Sequence, residues 1–127
     1  MCYSNFDITK LGAIPENFII RRHVPQITVL KQASLFITHG GMNSVSEAMS
    51  YGVTMLVIPF VSDQPVNGEQ VARLGLGKIL DYNSITSKNL KDAVFSVLSD
   101  QQILANVQAM KKAVANAIGN AGAIKII

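Results

Sequence analysis

The run Thr38-His39-Gly40-Gly41-Met42-Asn43-Ser44-Val45-Ser46-Glu47 places two glycines after an apolar stretch and a helix-forming segment directly after the glycines. Glycines permit a tight turn and let a ligand approach the backbone. A helix that starts there offers unpaired N–H groups and a partial positive charge, which suits an anion. The dipole contributes only ~0.3–1 kcal/mol at an exposed helix end and ~2 at best. Side-chain hydrogen bonds to charged oxygens add ~1.5–3 kcal/mol each, and His39, Asn43 and Ser44 are spaced to supply them. Glu47 follows Asn43 by four residues, on the same helix face one turn along. A carboxylate repels a phosphate, so Glu47 suits a neutral partner such as a ribose with two adjacent hydroxyls. Taken singly, each feature also has a plainer reading: a tight turn at Gly40-Gly41, a helix cap at Asn43 or Ser44, a structural histidine at His39.

Other chemistries lack their residues. There is no G-x-x-x-x-G-K-[ST] and no G-x-G-x-x-G after a strand, so neither a P-loop nor a dinucleotide fold is indicated. His39-Gly40-Gly41 matches part of a lipase-like oxyanion loop, but the G-x-S-x-G partner is missing. No D-x-D element or carboxylate cluster points to a divalent metal. Backbone dipoles, hydroxyls, amide and imidazole are left to meet a phosphate.

The elements that must hold this loop alternate along the chain. Strands are predicted over 17–21, 34–38, 54–59 and 78–81. The third is apolar on both faces, as a buried parallel strand is. Helices are predicted over 26–33, after Pro25; over 43–51, stopped by Gly52; and over 64–74, with Ser62 or Asp63 as cap, Pro65 in the first turn and Gly75 as stop. A further helix over 87–98 carries the stripe Leu90, Ala93, Val94, Val97, Leu98. The last, over 101–117, turns Ile103, Val107, Met110 and Val114 inward and is broken by Gly119 and Gly122. Met1 to Lys10 shows no strand pattern. This order implies an α/β fold, a Rossmann-like open parallel sheet with flanking helices. Ligands bind such sheets at the carboxyl ends of the strands, where the polar segments 39–44 and 61–67 lie.

Composition narrows the classes. The chain has 127 residues, 49% hydrophobic and 15% charged, with a net charge of +3. That suits one folded domain over 1–127 and excludes a disordered or fibrous chain. Arg21-Arg22 and Lys111-Lys112 are the longest basic runs, so no nucleic-acid partner is indicated. The single Cys2 forms no internal disulfide or cysteine-based zinc site, which favours a reducing, cytoplasmic setting. The longest apolar stretch, 53–61, falls far short of the ~20 residues that span a bilayer.

From Val24-Pro25-Gln26 through Thr38-His39-Gly40-Gly41-Met42-Asn43-Ser44-x-x-Glu47, then Gly52-Val53-Thr54-Met55 and Pro59-x-x-x-Asp63-Gln64-Pro65-x-Asn67, the chain closely resembles the nucleotide-sugar signature of the UDP-glycosyltransferases of family 1. It is most similar to the bacterial macrolide type. The likeness runs from Asp7 to about Gly122. It implies the GT-B fold, two Rossmann-like domains with a cleft between them, of which this chain matches the C-terminal, donor-binding half. It implies that His39 contacts the diphosphate with Gly40 and Gly41, and that Asn43 and Ser44 hold the phosphate nearer the nucleoside. Gln26 lies near base and ribose, with His23 and Val24 beside it, and Glu47 accepts from the ribose hydroxyls. Asp63 and Gln64 bind hydroxyls of the transferred sugar. Many members carry Trp at the position of His23, where it stacks on uracil, and Pro at the position of Thr54.

The resemblance further implies inverting transfer of a hexose from a UDP-sugar, UDP-glucose being the expected donor, without a metal cofactor. Members of the family are several-fold longer. Their general-base histidine, its Asp partner and the small-molecule acceptor site belong to an N-terminal domain. The expectation is therefore a fragment without catalytic residues of its own, incomplete at the N-terminal strand and inactive alone. The alternative is a nucleotide-sugar-binding subunit of a split glycosyltransferase, docked on a separate acceptor-binding protein.

Overall fold

The computed structural model describes residues 8–122. Three short parallel strands, β1 (Leu35–Thr38), β2 (Thr54–Val57) and β3 (Gly77–Ile79), form one sheet in the order β1-β2-β3. Leu35 pairs with Thr54 and Thr38 with Val57, while Met55 pairs with Gly77 and Val57 with Ile79. All four residues of β2 are buried, as expected of an apolar central strand covered on both faces. Among the described residues five helices accompany the sheet: α1 (Gln26–Leu30), α2 (Met42–Tyr51), α3 (Gln64–Arg73), α4 (Ser87–Leu98) and α5 (Gln101–Gly122). Short 3-10 turns lie at Ile8–Leu11 and Tyr82–Ser84.

The core joins Val45 and Ala48 of α2, Met55 and Val57 of β2, Val71 of α3, and Ile103 and Val107 of α5. Met110 packs against its edge, and Val114 is half-buried. Leu56 is fully buried as well and, by strand alternation, lies on the opposite face of β2. The predicted terminator of the helix that follows the Gly40-Gly41 turn is in place. Gly52 closes α2 in the left-handed conformation at φ 69°, the arrangement glycine permits without a Cβ penalty.

Several expected boundaries move. No strand forms over 17–21. The Phe18 N–H donates to the Pro15 carbonyl in a turn at 3.0 Å, and Phe18 and Ile19 are 54% and 67% exposed. An apolar run records side-chain preference, but a strand also needs a neighbour to ladder with. Arg21 alone of this segment takes part in an isolated β-bridge, too little pairing to extend into a strand, and among the described residues the laddered strands are β1, β2 and β3. Among the described residues the sheet therefore has three strands rather than four. The expected strands 34–38 and 54–59 shorten to β1 and β2, the strand expected over 78–81 moves back to begin at Gly77 and end at Ile79, and helix 26–33 shortens to α1. α5 runs through Gly119 to Gly122 instead of stopping at Ala117; one glycine costs a helix only about 1 kcal/mol. Most of Met1 to Lys10, together with Cys2 and the tail 123–127, lies outside the described residues.

Candidate functional site

The carboxyl ends of β1 and β2 each open into a loop, and a helix follows each loop at once. After Thr38 the backbone turns through Gly40 at φ 91°. A Cβ there would stand 2.8 Å from Val57 Cγ1 and 3.2 Å from the Gln64 carbonyl oxygen, so both conformation and space require glycine. The Gly40 N–H donates to Thr38 Oγ1 at 3.2 Å, and the Gly41 N–H donates to His39 Nδ1 at 2.9 Å. An imidazole that accepts at Nδ1 carries its proton at Nε2 when neutral. His39 thus holds a donor away from its own loop.

Gly41 is the N-cap of α2, with no side-chain cap. Met42, Asn43 and Ser44 form the first turn, so neither Asn43 nor Ser44 is the cap that a plainer reading allows. The N–H groups of that turn have no intrahelical acceptor, and the first helical bond runs from the Val45 N–H to the Gly41 carbonyl at 3.0 Å. Gln26, the first residue of α1, reaches over to the same turn: its Nε2 donates to Ser44 Oγ in a long bond of 3.4 Å. Through Gln26 the segment carrying exposed His23 and half-buried Val24 is joined to the loop. Glu47 is half-buried one turn further along α2.

The second loop, 58–63, is shaped by Gln64. Its Oε1 accepts from the backbone N–H groups of Phe60 and Val61, each at 2.9 Å, while Ser62 sits at φ 58°. The Gln64 side-chain oxygen is therefore engaged in the loop, and Nε2 is the amide atom left to donate. Asp63 occupies the N-cap position of α3 but makes no capping bond. Its Oδ2 accepts instead from Asn67 Nδ2 at 3.2 Å. The same Nδ2 donates to the Gly40 carbonyl at 2.8 Å. Asn67 thereby ties the Asp63-Gln64 loop to the His39-Gly41 loop, and it stands outside the set expected from the sequence. Its signal in the sequence was its place in the stretch Pro59-x-x-x-Asp63-Gln64-Pro65-x-Asn67, where it carried no assigned role. At the rim of the second loop the rings of Phe60 and Tyr82 stack, with centroids 4.4 Å apart and planes at 18°.

The two loops, joined through Asn67, bring an imidazole, an uncapped helix N-terminus, a carboxylate and a side-chain amide to the carboxyl end of the sheet. Among the described residues no group of three or more His, Cys, Asp or Glu is placed to hold a metal ion. Nor is any helix among them long and apolar enough to cross a membrane.

The family described as Erythromycin biosynthesis protein CIII-like, C-terminal domain, matches residues 4–120. The chain belongs to this family. NDP-glycosyltransferase YjiC of Bacillus subtilis (strain 168) is 47% identical over 113 residues, which are 89% of this chain and 29% of that protein. The solved structure of the glycotransferase of kitacinnamycin aligns with a TM-score of 0.80 at 35% identity, over 87% of this chain and 28% of the other. CalG4, the calicheamicin glycosyltransferase, aligns with a TM-score of 0.83 at 27% identity, over 91% and 29%. The EryCIII-like domain is thus the C-terminal half of a family 1 glycosyltransferase with the GT-B architecture, and this chain spans under a third of the length of the relatives it matches.

Proposed function

We propose that residues 1–127 are one nucleotide-sugar-binding domain, the donor side of a larger two-domain UDP-glycosyltransferase. The full enzyme transfers a hexose, with inversion, to the hydroxyl of a small-molecule acceptor held by the N-terminal domain, in the cytoplasm. The observation that carries this reading is the facing pair of loops at the carboxyl ends of β1 and β2, one offering donors to an anion and the other a carboxylate and an amide N–H.

In this reading the diphosphate rests on His39, Gly40, Gly41, Asn43 and Ser44, at the uncapped start of α2. His23, Val24 and Gln26 line the base and ribose, and Glu47 accepts from the ribose hydroxyls. A carboxylate that takes both the 2′ and 3′ hydroxyls favours UDP over a 2′-deoxyribose nucleotide, and UDP-glucose is the donor we assign. Asp63 and Gln64 hold the sugar, Asp63 accepting from hydroxyls and Gln64 Nε2 donating to one.

The chemistry divides between the halves. The acceptor oxygen attacks the anomeric carbon, the bond from that carbon to the diphosphate oxygen breaks, and the acceptor proton passes to a histidine of the other domain. Charge grows on the departing diphosphate, and in this reading the α2 N–H groups, the His39 Nε2–H and the Ser44 hydroxyl meet it. Donors fixed before the reaction stabilise that charge without reorganising. No catalytic base is assigned within this chain.

Titration calorimetry of the chain with UDP and with UDP-glucose, in buffer containing a chelator, tests the reading. Weak binding of both without a divalent cation is expected. A folded sample that gives no heat at millimolar ligand refutes it, and sugar transfer by the chain alone refutes the division of labour.

A further inference from the structure

The Asn67 side chain hydrogen-bonds to both loops. It is 6% exposed, in a helix interior where asparagine is a poor helix former. An amide NH2 has two hydrogens, and here Nδ2 meets two acceptors, the Gly40 carbonyl at 2.8 Å and Asp63 Oδ2 at 3.2 Å. The Gly40 carbonyl and the Gly41 N–H belong to the same planar peptide unit. On its far side that N–H donates to His39 Nδ1 at 2.9 Å. A single rigid plane therefore connects the Asn67 amide to the His39 ring, and the other Asn67 hydrogen fixes one carboxylate oxygen of Asp63, leaving Oδ1 for a ligand. Hydrogen bonds arranged in series polarise one another and hold their members in one orientation.

We propose that Asn67 is a positioning residue that sets Asp63 for the donor's sugar and His39 for its diphosphate, coupling the two subsites through the Gly40–Gly41 peptide. This rests on the functional reading above. The competing role is packing alone, in which Asn67 only satisfies a buried carbonyl.

The test compares Asn67→Asp with the unaltered chain by calorimetry, using UDP and UDP-glucose as probes. The aspartate keeps the shape, removes both donated hydrogens and sets a second carboxylate against Asp63. Affinity for UDP-glucose is expected to fall about tenfold more than affinity for UDP, the loss of one charge-assisted hydrogen bond to the sugar side. In an Asp63→Ala background the same substitution is expected to add no further loss of that discrimination. The nitrogen spectrum of the His39 ring gives an independent readout: Nε2-protonated in the unaltered chain, a tautomer mixture in the variant. Reduced melting temperature with unchanged discrimination and an unchanged His39 spectrum overturns the proposal in favour of packing.

The unaltered chain supplies a measurement that no folding defect can obscure. The Asn67 side-chain protons are expected to shift more with UDP-glucose than with UDP, and equal shifts overturn the proposal. An unaltered chain that binds neither probe overturns the functional reading and this inference with it, whereas binding of both with equal shifts overturns the role of Asn67 alone.

Discussion

His39 and Gly41 close a small ring in which the backbone N–H of Gly41 donates to the imidazole Nδ1 at 2.9 Å. The side chain is thereby held in the orientation that turns Nε2–H outward, although His39 itself is exposed and adds little to packing. His39→Ala is expected to weaken UDP binding about tenfold, the worth of one hydrogen bond to a charged oxygen. Its melting temperature should match the unaltered chain, because exposed side chains outside special features change stability by only about 0.5 kcal/mol. Calorimetry and a thermal melt on the same sample check both parts.

The two loop glycines should respond differently to alanine. At Gly40 the new Cβ meets Val57 Cγ1 at 2.8 Å and the Gln64 carbonyl oxygen at 3.2 Å, with φ at 91°. Conformational strain and overpacking together should cost at least about 2 kcal/mol, visible as a lowered melting temperature. At Gly41 φ is −62° and the clash is with His39 Cε1 at 2.7 Å, on a side chain free to swing outward. Gly41→Ala should therefore fold normally and lose UDP affinity, as His39→Ala does.

Glu47 should read the ribose. The unaltered chain is expected to prefer UDP to 2′-deoxy-UDP by about tenfold, one charge-assisted hydrogen bond. Glu47→Ala should bind both equally. Competition titrations with the two nucleotides check this, and retained discrimination in the variant would remove Glu47 from the ribose site.

Gln64 separates loop shape from sugar contact. In Gln64→Glu the side chain still accepts from Phe60 and Val61, so stability should stay near that of the unaltered chain. Gln64→Ala strands both N–H groups and should cost about 1–2 kcal/mol, softened by the exposure of the loop. Both variants lose the Nε2 donor, so both should lose the preference for UDP-glucose over UDP. Melting curves alongside calorimetry distinguish the two effects.

Local signals in the sequence carried the elements whose reasons are local. α4 begins and ends where read, because Thr86 caps it by accepting from the Asn89 N–H at 3.0 Å and its apolar stripe has a clear helical period. β2 was legible from an apolar run bounded by Gly52 and Pro59, and the site loop from its two glycines. The segment 17–21 has the side chains of a strand, yet pairing depends on which neighbours exist, a property of the whole sheet. The Asn67–Gly40 bond spans 27 residues and leaves no periodic trace. Asp63 looked like a cap from its position, while its carboxylate is in fact turned to Asn67. Gln64 likewise has an inward half, its side-chain Oε1, that residue type alone does not announce.

The ring stack of Phe60 on Tyr82 has a practical corollary. The chain contains no tryptophan and three tyrosines, so its ultraviolet emission comes from tyrosine alone, and one of those emitters leans on the loop that carries Asp63. A rearrangement of that loop on ligand capture alters the surroundings of the Tyr82 phenol directly. The protein therefore carries an intrinsic optical reporter at the sugar side of its site, readable without any label.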